Sequence, residues 1–595
     1  MLFYLAIWPL IAGSLFLWGT VLLRATGAVT APARDNPSDW ERPGDIGFAA
    51  LWVGFAVMGA LLPLAALVAP LSPAIATLAL LLAAFSLLVP AIREIALHTI
   101  RAMLATPGKA IVFAGHVVAV ATVAYLASRQ VIYFDTAVYH LPLARFLAEV
   151  GAVKGLVTLF VNYGQTSSWF AIAAPGTAGG EFGWGSATAN FVIAALAAAH
   201  AASSLWRIAR DDGAPADFVA GFGYPLVLIM AARWGMPASL SPDLPVMLLC
   251  VTVAWAVSLE SSRLAVLTAL LTAGFAIGIK LSAIPLGAVA VLTALASVRV
   301  RGLLFVAVCC VLAAALILPT LALGVLSSGC LAFPVAASCF DLPWTPEASA
   351  LVEYTKLILE AARGGGNSLP PDTAFSEQFL TWLSRDRSGA VTVLGGLALL
   401  IIMLGYLVRL RWTGQDLKSF PVWALALGGV GMIYVAATAP TGRFIGGYTA
   451  VLAAVSLCAF PCLLPSLRRF VRLGILPAML IVVAIGIHHT SPGAAVRTEL
   501  SEQVAAGAYP APGNGWLFPK RIIPFDIHNP KVPLVRKVET STNGFVAVRV
   551  APRTGECWAV SPPCSVVGVG ENVRYLDPDR GFEGGFKWRR AAANR

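Results

Sequence analysis

The segment Phe134-Asp135-Thr136-Ala137-Val138-Tyr139-His140 places a carboxylate, a phenol and an imidazole directly after Ala110 to Leu126, an apolar run long enough to cross a bilayer. Ionisable groups at the lip of a span are costly unless a pocket or watery cavity supports them, so this is the first place to look for chemistry. Charged groups recur at the ends of later apolar runs as Arg233, Asp243, Lys280 and Arg443. A carboxylate can act as general base toward a hydroxyl. Lys and Arg can hold an anionic phosphate and stabilise it as it leaves. Glycosyl transfer from a phosphate-linked sugar needs that division of labour. Asp135, His140 and Asp243 are then the catalytic candidates, and Lys280, Arg443 and Arg233 the phosphate-binding ones. Tyr139, Asn162, Tyr163 and Gln165 are the candidates for contacting substrate.

Each residue also has a plainer reading. Asp135 can cap the helix that follows it. His140 can be an interfacial hydrogen-bonding residue. Asp243, in Ser241-Pro242-Asp243-Leu244-Pro245, fits turn and helix-start chemistry. Lys280 can snorkel to the headgroups, and Arg443 can close the bundle with a salt bridge.

The elements that must position these groups are spans. Of the 595 residues, 58% are hydrophobic and 12% charged, and the mean hydropathy is +0.80, a composition that excludes a soluble protein of this size. A span needs about 20 mostly apolar residues, and about 14 such runs follow one another up to His488. They include 4–23, 46–69, 71–91, 110–127, 244–259, 264–279, 281–297, 444–464 and 473–488. Residues 4–23 read as a retained first span, because no Lys or Arg precedes them. Lys280 splits 264–297 into two short halves, which read as two passes or a re-entrant pair. The expected fold is an all-α polytopic membrane bundle over 1–488, with outer loops 128–185 and 325–388. A polar, β-containing extracytoplasmic region over 489–595 follows it.

Lys and Arg gather in alternate loops, as at Arg24, Arg34 and Arg42, at Arg207 and Arg210, and at Arg409 and Arg411. By the positive-inside rule these loops are cytoplasmic, and the Asp135 loop, 325–388 and the tail lie outside. The net charge of +11 is thereby spent on topology, which argues against nucleic acid as a partner. Cys330 with Cys339, and Cys557 with Cys564, form close pairs in segments assigned outside, as expected of two disulfides, with zinc as the competing reading. An interfacial helix is expected after His140, another over Pro346 to Arg363, and a strand within Gly544 to Val550.

At Phe134 to His140, Gly151 to Trp169, Ser328-Gly329-Cys330 and Pro440-Thr441-Gly442-Arg443-Phe444 the chain resembles the GT-C superfamily of polytopic glycosyltransferases. That superfamily includes the protein O-mannosyltransferases and the aminoarabinose transferases of lipid A, and the motifs also resemble a bacterial subgroup of membrane proteins. Asp135 matches the acidic residue of the first large outer loop, and Asp243 a second acid in a later one. The resemblance implies a multi-pass protein of the bacterial inner membrane whose site faces the periplasm. It implies a polyprenyl-phosphate-linked sugar as donor, inverting transfer, and a lipid, glycan or protein acceptor. Some relatives use a divalent cation (Mg, Mn or Ca), for which Asp135, His140 and Asp243 could supply ligands. A lipid or glycan transporter or flippase, a surface-polysaccharide polymerase or ligase, and a non-catalytic assembly partner are the rival readings.

Overall fold

Apolar runs of spanning length close into helices because lipid offers no partner for a free N–H or C=O. The structure, a computed structural model, describes residues 1–29, 42–105, 108–129, 131, 133–178, 183–259, 262–363, 373–414, 420–463, 537–540, 547–550, 564–565 and 573–588. The first group of helices is α1 (Leu2–Ala25), α2 (Pro43–Ala66), α3 (Pro73–Phe85), α4 (Pro90–Ala105), α5 (Lys109–Ala127), α6 (Leu141–Glu149) and α7 (Ser168–Ala173). The central group is α8 (Thr188–Ala209), α9 (Pro215–Arg233), α10 (Asp243–Ser258), α11 (Arg263–Ile279), α12 (Ile284–Ala296), α13 (Val298–Arg301) and α14 (Leu303–Ser328). Then come α15 (Ala348–Arg363), α16 (Phe375–Arg385), α17 (Arg387–Trp412), α18 (Val422–Thr438) and α19 (Gly442–Leu463). Among the described residues, α1, α2, α5, α8, α9, α14, α17 and α19 are each long and apolar enough to cross a membrane, while α10, α11, α12 and α18 are shorter apolar helices. The chain is a helical membrane bundle.

The bundle is built around α10, whose residues Asp243 to Val257 are all buried. It packs against α8, α9, α11, α18 and α19. Small residues let neighbouring helices approach closely, as membrane packing favours. A Cβ on Gly54 would lie 1.7 Å from the carbonyl oxygen of Leu15, and one on Gly19 would lie 1.8 Å from that of Ala50.

Expected spans up to residue 464 fall on helices, with one correction, and 473–488 lies outside the described residues. The run 71–91 is not a single straight span. α3 ends after 13 residues, and the chain bends by 98° into α4. Val89 is extended (ψ 113) ahead of Pro90, which lacks an N–H and disfavours helical geometry in the residue before it. α4 buries Ile92, Ile95, Ala96 and Thr99, one face at helical spacing, and exposes Arg93, Glu94 and Arg101. At Lys280 the backbone turns extended (φ −159, ψ 139), and α12 folds back on α11 so that Gly287 meets Ile277. The two halves of 264–297 are separate helices that pack against each other across the break at Lys280.

Opposite ends of the bundle carry different polar groups. At one end Arg42 donates to Asp217 at 2.8 Å, and Arg207 donates to Asp217 at 2.6 Å and to Asp45 at 3.3 Å, tying α2, α8 and α9 together. Asp45 and Asp217 lie in first helical turns, where the helix dipole favours a carboxylate. At the other end lie the loop after α5, the segment after α14 and the start of α19. The expected interfacial helix after His140 is α6, but it is wedged inward, with Leu141 to Phe146 buried and Arg145 paired to Glu149 at 2.5 Å. α15 occupies the expected 346–363 stretch, and α16 joins it.

The expected strand is β2 (Ala547–Val550), paired antiparallel with β1 (Lys537–Thr540) and parallel with β3 (Cys564–Ser565). A hairpin of β4 (Val573–Tyr575) and β5 (Phe586–Trp588) docks on the loops 128–185 and 325–388. There the N–H of Phe586 donates to Lys154 O at 2.9 Å and that of Trp588 to Pro343 O at 3.2 Å. Cys330 and Cys339 form a disulfide. The second expected pair involves Cys557, which lies outside the described residues.

Candidate functional site

Asp135 leads directly into a π-helical turn, Thr136–His140, which passes into α6. Pro142 explains part of that geometry, because it has no N–H to return to the carbonyl four residues back. π turns are uncommon and concentrate where a side chain must be aimed. The Asp135 carboxylate makes no cap bond to the turn that follows. It accepts from Arg443 Nη1 at 2.8 Å, across 308 residues of chain. Asp135 therefore does not cap that turn with its side chain, and its carboxylate is held by Arg443 instead.

Asp243, the first residue of α10, turns its carboxylate into the same cluster. Lys280 Nζ donates to its Oδ1 at 2.5 Å, and Arg443 Nε lies 3.7 Å from its Oδ2. Its helix-start duty falls to neighbours, since Ser241 Oγ receives the Asp243 N–H at 3.2 Å. Lys280 reaches the carboxylate from the α11–α12 break, and its ammonium sits 3.6 Å from the centre of the Phe444 ring, a favourable seat for a cation. Four of the residues singled out by sequence, Asp135, Asp243, Lys280 and Arg443, thus join in one linked set.

Tyr133 ties the set together, and sequence reasoning missed it. Its hydroxyl donates to Asp243 Oδ2 at 2.9 Å and accepts from Arg443 Nη1 at 2.6 Å. Burial, with Asp243 and Asp135 nearby, pushes the phenol well above its ordinary pKa, so it remains a donor. The one signal in the chain is its place two residues before Asp135, within an aromatic pair. Thr441 Oγ1 is buried beside Arg443 without a hydrogen-bond partner.

His140 is buried and faces Thr136 Oγ1 at 3.4 Å, with the rings of Tyr139 at 4.3 Å and Phe170 at 5.4 Å around it. Burial depresses the imidazole to about 4, more than the nearby carboxylates raise it, so the ring is neutral near pH 7. Burial likewise holds the Tyr139 phenol protonated. Among the described residues no three His, Cys, Asp or Glu side chains converge as metal ligands. Asp135, His140 and Asp243, the set that could have held a divalent cation, do not form such a group, because each carboxylate is bonded to a cationic side chain and the imidazole is enclosed by rings.

Arg233 is not drawn into the set. It ends α9 exposed, and no ion pair joins it to Asp135 or Asp243. Tyr163, one of the expected substrate contacts, is a core residue fully buried between Phe146 and Phe160. Asn162 and Gln165 turn instead to α15, where Tyr354 donates to Asn162 Oδ1 and accepts from Gln165 Nε2 at 2.9 Å. The disulfide loop adds Phe333, its ring tilted against Tyr354 and close against Gly164. A small apolar cleft of about 30 Å³ lies between α6, the start of α7 and the end of α14, lined chiefly by Leu143, Leu147, Phe170, Leu323 and Leu326. Phe170 forms its wall on one side and touches the Tyr139–His140 rings on the other.

No curated protein matches the chain. Residues 1–450 match the family described as Domain of unknown function (DUF8201), a stretch that takes in every member of the cluster from Tyr133 to Arg443 and stops short of the β-strands. Since that match covers three quarters of the sequence, the chain belongs to the DUF8201 family.

Proposed function

We propose that the protein is a membrane glycosyltransferase of the GT-C type, which moves a sugar from a polyprenyl-phosphate donor to an acceptor at the outer face of the bacterial inner membrane. Asp135 takes the proton of the acceptor hydroxyl, which attacks the anomeric carbon with inversion. Arg443 and Lys280 hold the lipid phosphate and neutralise its charge as the glycosidic bond breaks. Asp243 and Tyr133 position the two cations and touch no reacting atom. The observation that carries this reading is the convergence of two carboxylates and two cations from four distant segments. Physical chemistry adds that a lipid tail can remain between helices while its phosphate stays at the interface. The positive-inside rule puts the Asp135 end of the bundle outside.

The cluster lies at the ends of α10, α11 and α19. That favours a transferase over a flippase, whose charged groups belong near the bilayer midplane. The test compares the lipid-linked and surface glycans of a deletion strain with those of an Asp135→Asn strain. Both are expected to lose the same sugar, and the purified variant should transfer it about 10²- to 10⁴-fold more slowly. Unchanged glycans in the point mutant, at normal protein level, would sink the assignment of Asp135 as base.

A further inference from the structure

The pairing of Asp135 with Arg443 is at odds with catalysis as it stands. A carboxylate oxygen held by a guanidinium is not open to an acceptor hydroxyl, and in an inverting reaction the base and the departing phosphate lie on opposite sides of the sugar. We propose that Asp135 occupies the place on Arg443 that the ligand's phosphate takes, so that an anionic ligand enters by exchanging with Asp135 and thereby frees this carboxylate. The inference rests on the phosphate-binding role given to Arg443 above and deepens it.

Three observations separate an exchangeable carboxylate from a fixed one. Asp243 has 4% of its side chain exposed and receives Lys280, Tyr133 and Arg443 together, whereas Asp135 has 25% exposed and, among the described residues, a single ion-pair partner. Arg443, at 37%, is the more open of the two cations, so an incoming anion meets the Arg443–Asp135 bond first. Arg443 also keeps its position when that bond opens, because Tyr133 Oη at 2.6 Å and Asp243 at 3.7 Å still hold it. Carboxylate and phosphate present similar pairs of acceptor oxygens to a guanidinium, which makes one a natural substitute for the other. The set is balanced as it stands, with two carboxylates against two cations, and a phosphate would overload it with negative charge unless a carboxylate withdrew. Asp135, at the head of the π turn, is the one free to do so.

The exchange predicts an inverted result for the loss of an acid. Farnesyl phosphate binding is measured by calorimetry on the purified full chain in nanodiscs, with farnesol as the uncharged control. Asp135→Asn removes the internal competitor and should bind farnesyl phosphate about tenfold more tightly than wild type. Asp135→Ser, a second route to the same loss of charge, should repeat the gain, farnesol should show none, and Arg443→Gln should abolish binding. Equal or weaker binding by folded Asp135→Asn and Asp135→Ser, with binding still lost in Arg443→Gln, overturns the exchange and leaves the phosphate role of Arg443 standing. Binding that survives Arg443→Gln, or binding by no variant, overturns both.

Discussion

Asp135 and Asp243 carry the same functional group in unlike surroundings, the first partly exposed and the second buried. Asp243→Asn removes the charge that faces Lys280 and one of the two oxygens that accept from Lys280 and Tyr133, and should cost about 3 kcal/mol of stability. Asp135→Asn breaks a bond between partly exposed partners and should cost under about 1 kcal/mol. Thermal unfolding of the two variants side by side checks the contrast, and equal losses would refute it. Tyr133→Phe keeps the ring but loses one donated and one accepted bond, for which about 1–2 kcal/mol and a clear fall in transfer rate are expected, read from melting curves and turnover. His140 titrates with a definite sign. Its folded value of about 4 lies below the ordinary 6.5, so its contribution is complete above pH 6.5 and is lost as the pH falls toward 4, by up to about 3 kcal/mol. His140→Gln lacks that component, and its melting temperature should fall less than that of wild type between pH 7 and 4.5. The charged members of the cluster were legible in the sequence because ions beside spans are rare. Tyr133 was not, since a tyrosine near an interface is ordinary and its partners lie 110 and 310 residues away.

At the scale of elements, hydrophobic run length predicted the helices well, because a lipid-facing helix and a buried one both read as apolar. Direction changes were harder to read. Lys280 announced the α11–α12 break, because a charge in the middle of the apolar run 264–297 marks a point where a helix must stop or turn toward a polar partner. The bend between α3 and α4 was hidden inside a continuous apolar stretch whose polar face begins only at Arg93. The inward burial of α6 was equally hidden, since its pattern fits a helix resting on a membrane as well as one wedged under a loop. Backbone contacts give this level its own prediction. Gly54→Leu sets a side chain against the Leu15 carbonyl and should push α1 from α2, lowering the yield of folded protein in size-exclusion chromatography. Gly302→Ala is a control for the loss of a glycine, because that residue has open space around it, although its positive φ of 88° brings some strain of its own.

Over the whole molecule, polar groups sort to two ends. The Arg42–Asp45–Arg207–Asp217 lattice fastens one, and the cluster with its loops, disulfide and hairpin forms the other. Cysteines placed at Lys154 and Lys587 should therefore react with an impermeant maleimide from the same side of sealed vesicles, and one at Arg210 from the opposite side. Labelling of all three from one side would reject the two-ended arrangement. The hairpin also has a bearing on how the protein matures. A Cβ on Gly155 would lie 2.1 Å from the carbonyl of Phe586, so this loop and β5 fit closely against each other. Residues near 586 are synthesised after every helix from α1 to α19. The wall they complete beside the 151–158 loop is consequently absent from shorter nascent chains, so the packing of that loop is completed last.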